Sequence, residues 1–212
     1  VDEALSWLLD TVQSVDPVLR TTLAGLAILL ETSVLVGVIV PGDTVVIVAA
    51  TGVASALEGV ILAAVAVLGS LAGESIGFGL GRWLGPHIRA SWAGRRIGEA
   101  NWQRAERYVQ RRGGIAIFLS RFLPVLHSLV PLTVGMSTYG YRRFILWTLP
   151  ACVVWAALYV SIAAGAAHSY RQLSDTAHWA AYIFVGAIVL LVVGVYVAKR
   201  IIARVERRHL ND

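Results

Sequence analysis

Five ionisable side chains sit in stretches that are otherwise apolar: Glu31, Asp43, Glu74, Arg121 and His127. A charged side chain inside a bilayer costs at least ~2.5–3.5 kcal/mol on insertion scales, and such residues mark function by default. Their types allow two readings. In one, Glu31 or Asp43 forms a structural ion pair with Arg121. In the other they form a central polar site. Glu31 and Asp43 would take up a coupling proton or cation, and Arg121 would hold an anion, because its planar fork suits phosphate. Glu74 supports either arrangement by orienting a neighbour. His127 follows Arg121 by six residues, across Pro124, and histidine titrates near neutral pH. It is read both as a hydrogen-bonded core residue and as a second ligand for the anion. The single cysteine, Cys152, excludes an internal disulfide, and no Cys/His set has zinc spacing. The expectation is therefore no metal and no cofactor, with H+ or Na+ as the coupling ion.

The surrounding chain sets where these groups can lie. Of 212 residues, 57% are hydrophobic and 15% charged, with a mean hydropathy of +0.70. Soluble domains carry about 25% charged residues, and disordered chains need low hydrophobicity. The apolar residues fall in long runs, which predicts an all-α integral membrane protein. Residues 1–20 read as an amphipathic N-terminal segment suited to a membrane interface. In 27–57 the apolar run is broken by Pro41-Gly42-Asp43, so each arm is short for a span of about 20 residues. A re-entrant helical hairpin fits better, since irregular backbone is tolerated at membrane depth only when protein or a cavity surrounds it. Residues 59–81 form a span whose end carries Gly73, Gly77, Gly81 and Gly85, a small-residue face for close helix approach. The Arg-rich 86–112 reads as an amphipathic segment on the cytoplasmic surface. Residues 114–138, broken by Pro124 and Pro131, give a second re-entrant hairpin. Spans 144–167 and 179–198 and a basic tail, 199–212, complete a membrane domain covering 21–198.

Charge orients these elements. Residues 1–80 hold one basic residue, Arg20, whereas 82–112 and 199–208 are basic clusters. Such clusters beside apolar spans mark cytoplasmic loops, not nucleic-acid sites. The first hairpin then enters from outside and the second from the cytoplasm, with the C-terminus cytoplasmic. Glu31 lies ten residues before Pro41, as Arg121 lies ten before Pro131. Oppositely oriented hairpins of this kind give an inverted-repeat, transporter-like architecture.

Enzyme signatures are incomplete. Ser120-Arg121, five residues and His127 resemble the third signature of PAP2-type lipid phosphatases, but the carboxylate due four residues later is Pro131. That family's other two signatures are missing. Gly135-Met-Ser137-Thr-Tyr-Gly140 likewise misses by one residue the G-x-S-x-G that a rhomboid-like serine protease would need.

The assembled pattern resembles the DedA family, also called the SNARE-associated or VTT-domain family, over roughly residues 20–170. The matching residues are Glu31-Thr32-Ser33, Pro41-Gly42-Asp43, Gly73-Glu74, Gly77-Phe78, Gly81-Arg82, Gly85, Ser120-Arg121-Phe122-Leu123-Pro124, Gly135-Met136 and Phe144. The resemblance implies two opposed re-entrant hairpins packed among transmembrane helices. It also implies lipid movement between leaflets of a bacterial plasma membrane, with proton or sodium coupling. Undecaprenyl phosphate is the first choice of lipid, phosphatidylethanolamine or another phospholipid the second. A membrane lipid phosphatase and a non-transporting scaffold stand as alternatives of other classes. The family's acids map onto Glu31 and Asp43 and its first essential arginine onto Arg121, with Pro41, Gly42, Glu74, Ser120 and Pro124 in support. Three positions depart from the family pattern. His127 stands where a second arginine is usual, Glu74 where Asp is, and Phe78 where Tyr is.

Overall fold

The computed structural model describes residues 2–33, 42–123 and 126–174, and every element in them is a helix. The predicted span 179–198 and tail 199–212 lie outside the described residues, as do Pro41 and Pro124. Helix α1 (Asp2–Ser14) is followed by α2 (Pro17–Thr32). Pro17 opens α2 because its fixed φ suits the first turn and its missing N–H is not needed there. Asp16 caps that turn, its carboxylate accepting from the amides of Val18 (3.0 Å) and Leu19 (2.9 Å). The face of α2 toward the core carries Arg20, Ala24, Ile28 and Glu31, while Leu19, Leu23, Leu26 and Leu30 are exposed on the other. An exposed leucine stripe is a liability in water and a natural lipid-facing surface.

Helix α3 (Gly42–Thr51) packs on α2, and α4 (Ala56–Ala90) packs on α2, α8 and α9. Its 30 residues Ala56–Gly85 are long and apolar enough to cross a membrane, as are Tyr141–Tyr170 of α9 (Tyr141–Ser174). Helix α4 also differs from the predicted span 59–81, because it continues unbroken into the Arg-rich stretch. Polarity alone does not end a helix, and the first clear stop is Ser91, whose hydroxyl caps α5 (Trp92–Ile97) through Gly94 N at 3.1 Å. Helix α6 (Glu99–Arg112) follows, and its Trp102 is buried against Leu129 and Leu132 with Nε1 donating to Gly94 O at 3.0 Å. The predicted surface segment 86–112 is thus the end of α4 followed by two shorter helices, the second fastened to the core through Trp102.

Helices α7 (Gly114–Ser120) and α8 (Leu126–Met136) occupy the second predicted hairpin. Pro131 lies inside α8 instead of breaking it, and the described residues that follow α7, 121–123, are not helical. Proline removes one helical hydrogen bond and bends a helix without necessarily ending it. Nearly all of α8 is buried, which makes it the central element. It crosses α4 closely because both partners lack side chains at the crossing. A Cβ on Gly81 would strike the Leu132 carbonyl, and one on Gly135 the Phe78 carbonyl. Gly73 and Gly85, on the same predicted stripe, face Thr32 and Met136.

Candidate functional site: a buried arginine ringed by carboxyl groups

Six segments deliver the site. The end of α2 supplies Glu31 and the start of α3 supplies Asp43. The middle of α4 supplies Ser70 and Glu74. The turn after α7 supplies Arg121, the start of α8 supplies His127, and α9 supplies Cys152 and Trp155. Helical periodicity places those that lie within helices on inward faces. Leu62, Ala66, Ser70, Glu74 and Phe78 form one buried row of α4, four residues apart.

Arg121 is the centre, with a side chain 1% exposed. Its Nη2 donates to Asp43 Oδ1 and to Ser70 Oγ, each at 3.3 Å. Its Nε lies 4.0 Å from Glu74 Oε1, an ion pair without a hydrogen bond. The guanidinium carbon sits 3.9 Å from the centroid of the Trp155 ring, where the ring's negative face stabilises a cation. Among the described residues, Nη1 and Nε find no hydrogen-bond acceptor. Unmade buried donors are costly, more so on a charged group.

Glu31 is engaged on both oxygens. Oε2 accepts from Asp43 N at 2.7 Å, satisfying a first-turn amide of α3 across the gap between the two helices. Oε1 lies 3.9 Å from His127 Nε2. Ser128 Oγ donates to the Glu31 carbonyl at 3.3 Å. Gly42 fits this geometry, since a Cβ there would lie 2.8 Å from Glu31 Oε2 and 2.7 Å from the Ala27 carbonyl. His127 Nδ1 bonds the Leu123 carbonyl at 3.2 Å, so the ring proton sits on Nδ1 and Nε2 turns toward Glu31. On Glu74, Oε1 also accepts from the Cys152 thiol at 3.7 Å.

Five sequence-predicted residues therefore converge: Glu31, Asp43, Glu74, Arg121 and His127. Asp43 and Glu74 face Arg121, whereas Glu31 faces His127. Ser120 stands apart, its hydroxyl donating back to Ile117 O at 2.7 Å within its own helix. Sequence reasoning missed Ser70, Ser128 and Trp155, whose types are ordinary in an apolar helix and carry no charge signal. It also gave Cys152 no part in the site.

The model of the VTT domain matches residues 40–165, more than half of the chain. This chain belongs to the VTT-domain family. It is a membrane protein of the DedA type, and the matched span encloses Asp43, Glu74, Arg121, His127 and Trp155, with Glu31 just before it. An uncharacterized membrane protein of Synechocystis is 30% identical over 132 residues, 60% of this chain and 59% of that protein. Protein DedA of Escherichia coli K12 is 22% identical over 134 residues, 61% of this chain and 60% of that protein. An alkaline phosphatase-like protein of Lactococcus lactis is 24% identical over 151 residues, 67% of this chain and 70% of that protein. The VTT-domain chain spans about three fifths of the length of the first two relatives. No solved structure matches it.

Proposed function

We propose that this VTT-domain protein is a transporter of the bacterial plasma membrane. It moves a phosphate-bearing lipid, undecaprenyl phosphate, between leaflets with a coupled proton or sodium ion. The observation that carries the reading is the state of Arg121. It is a buried guanidinium, stacked on Trp155, with Nη1 unbonded among the described residues and Nη2 held by a displaceable carboxylate. A phosphate accepts two parallel bonds from such a fork. Taking Nη1 and Nη2 together, it would release Asp43 from Arg121.

Coupling follows from charge. Three carboxyl groups, Glu31, Asp43 and Glu74, surround one permanent cation and one titratable ring. A phosphate monoester adds about −1.5 to −2 near pH 7. An anion added to a buried, acid-rich site favours uptake of a cation or proton by the titratable groups around it. In this reading hairpins 27–57 and 114–138 enter from opposite sides and meet at the arginine, with the C-terminus cytoplasmic. The partners are the lipid and the bilayer, and no nucleic acid takes part.

The test is reconstitution into vesicles with labelled undecaprenyl phosphate and labelled phosphatidylethanolamine under an imposed pH gradient. The expected result is leaflet exchange of undecaprenyl phosphate, driven by the gradient and absent in Arg121→Ala. Exchange of phosphatidylethanolamine alone would change the headgroup. Release of inorganic phosphate would make the protein an enzyme, the activity named in the Lactococcus relatives. The PAP2-type signature speaks against that outcome, since the residue four after His127 is Pro131, which cannot orient a nucleophile.

A further inference from the structure

We propose that His127 is the residue on which the coupling proton lands, at Nε2, with Glu31 as its counter-charge, and that it acts through Glu31 without touching the lipid headgroup. The proposal rests on the reading of Arg121 as the phosphate site. Both ring nitrogens of His127 are directed. The Nδ1–H donates to the Leu123 carbonyl, and Nε2 faces Glu31 Oε1 at 3.9 Å, within ion-pair reach but too long for a hydrogen bond. Neutral imidazole has no proton to offer there. Protonated imidazole has one, and a carboxylate is already aimed at it. His127 is 8% and Glu31 7% exposed, so neither charge is well solvated and the two opposite charges stabilise each other.

The groups around the pair come from every side. Glu31 belongs to α2, Asp43 to α3, Glu74 to α4, Arg121 to the turn after α7, and Cys152 and Tyr159 to α9, the Tyr159 ring lying 4.9 Å from that of Trp155. With His127 neutral, the acids outnumber the cations. Arrival of a phosphate on Arg121 increases that imbalance, and Nε2 takes a proton from water to offset it. The proton then pairs His127 with Glu31 and leaves as the lipid leaves. Glu31 also holds the first-turn amide of Asp43, so a change in its pairing reaches the residue that competes with phosphate for Arg121.

The experiment measures affinity for undecaprenyl phosphate in detergent from about pH 7 to about pH 9, above the second ionisation of the monoester near 6. One linked proton makes wild-type affinity fall up to about tenfold per pH unit as pH rises. His127→Arg should bind at the wild type's low-pH level with a flat profile. His127→Gln keeps the bond to Leu123 O but not the charge, and should be flat and weak. Glu31→Gln removes the counter-charge and should also lose the slope, which a direct headgroup contact by His127 would not require. A wild-type slope in His127→Arg or His127→Gln overturns the proposal, and the Gln variant alone decides if the Arg variant does not fold. A wild-type slope kept in Glu31→Gln overturns the route through Glu31. Undiminished binding by Arg121→Ala would instead overturn the phosphate reading itself.

Discussion

Two buried arginines, Arg20 beside Gly52 just past the end of α3 and Arg121 beside Asp43 at its start, invite comparison. Arg20, on α2, donates Nη1 to the Val12 carbonyl at 3.1 Å and Nη2 to Glu58 Oε2 at 3.1 Å. Glu58 in turn accepts from Ala54 N at 3.1 Å, so one ion pair ties α1, α2 and the loop between α3 and α4 together. Arg121 is as deeply buried but is held loosely. Its bonds are long, Glu74 beside it also accepts from the Cys152 thiol, and two of its nitrogens are unbonded among the described residues. The same residue type thus serves two ends. An arginine whose bonds are spent on the backbone and one acid fixes the fold. One left with spare donors beside excess carboxyl groups is kept ready for an anion.

The widest separation between the two should come from alanine. Arg121→Ala removes one partner of the proposed phosphate pair, a loss of about 3 kcal/mol in lipid binding, or more than a hundredfold in Kd. Arg20→Ala should leave lipid binding intact and lower unfolding stability by ~1–2 kcal/mol, since Glu58 is partly exposed and its pairing is screened. Lipid titration and denaturant unfolding of both variants would check this. If Arg20→Ala lost lipid binding while remaining folded, the division between the two arginines would break.

Glycine substitutions sharpen the same contrast at smaller cost. Gly42→Ala places a Cβ against the Ala27 carbonyl and Glu31, which cannot move aside freely, and should impair transport several-fold. Gly52→Ala meets Arg20 Nη1 at 2.6 Å, the far end of a flexible side chain, and should change only stability. Ser70→Ala removes one hydrogen bond to Arg121 and should weaken lipid binding by less than about tenfold, from roughly 1 kcal/mol. The smallest effect lies outside the site. A hydrogen bond from Arg89 holds the exposed Glu99 carboxyl below its ordinary value of 4.5. That contribution is complete above 4.5 and is lost as pH falls through the lowered value. Wild type and Glu99→Gln should therefore converge in Tm as pH is lowered, whereas a constant difference would show that the pair does nothing.

Much of the site was legible because charge in an apolar run is conspicuous. Glu31, Asp43, Glu74, Arg121 and His127 stand out by type alone, and the glycine row of α4 announced the close packing seen at Gly81. Which acid faces which base was not legible, because it depends on the crossing of α4 and α8 and on the rotation of α2. Trp155 and Ser70 gave no signal, since an aromatic or a serine in a membrane helix is commonplace. Element ends were misread for a related reason. The Arg-rich end of α4 is polar yet helical, and Pro131 lies inside a helix that the sequence pattern broke.

The central claim is that Arg121 is a two-pronged phosphate site, and Arg121→Lys tests it most directly. Lysine keeps the charge and the pairing with Asp43 but loses the planar fork. Purified wild type and Arg121→Lys would be titrated with undecaprenyl phosphate at neutral pH, with folding confirmed for both. The account predicts at least a tenfold loss of affinity in Arg121→Lys, and equal affinities would contradict it.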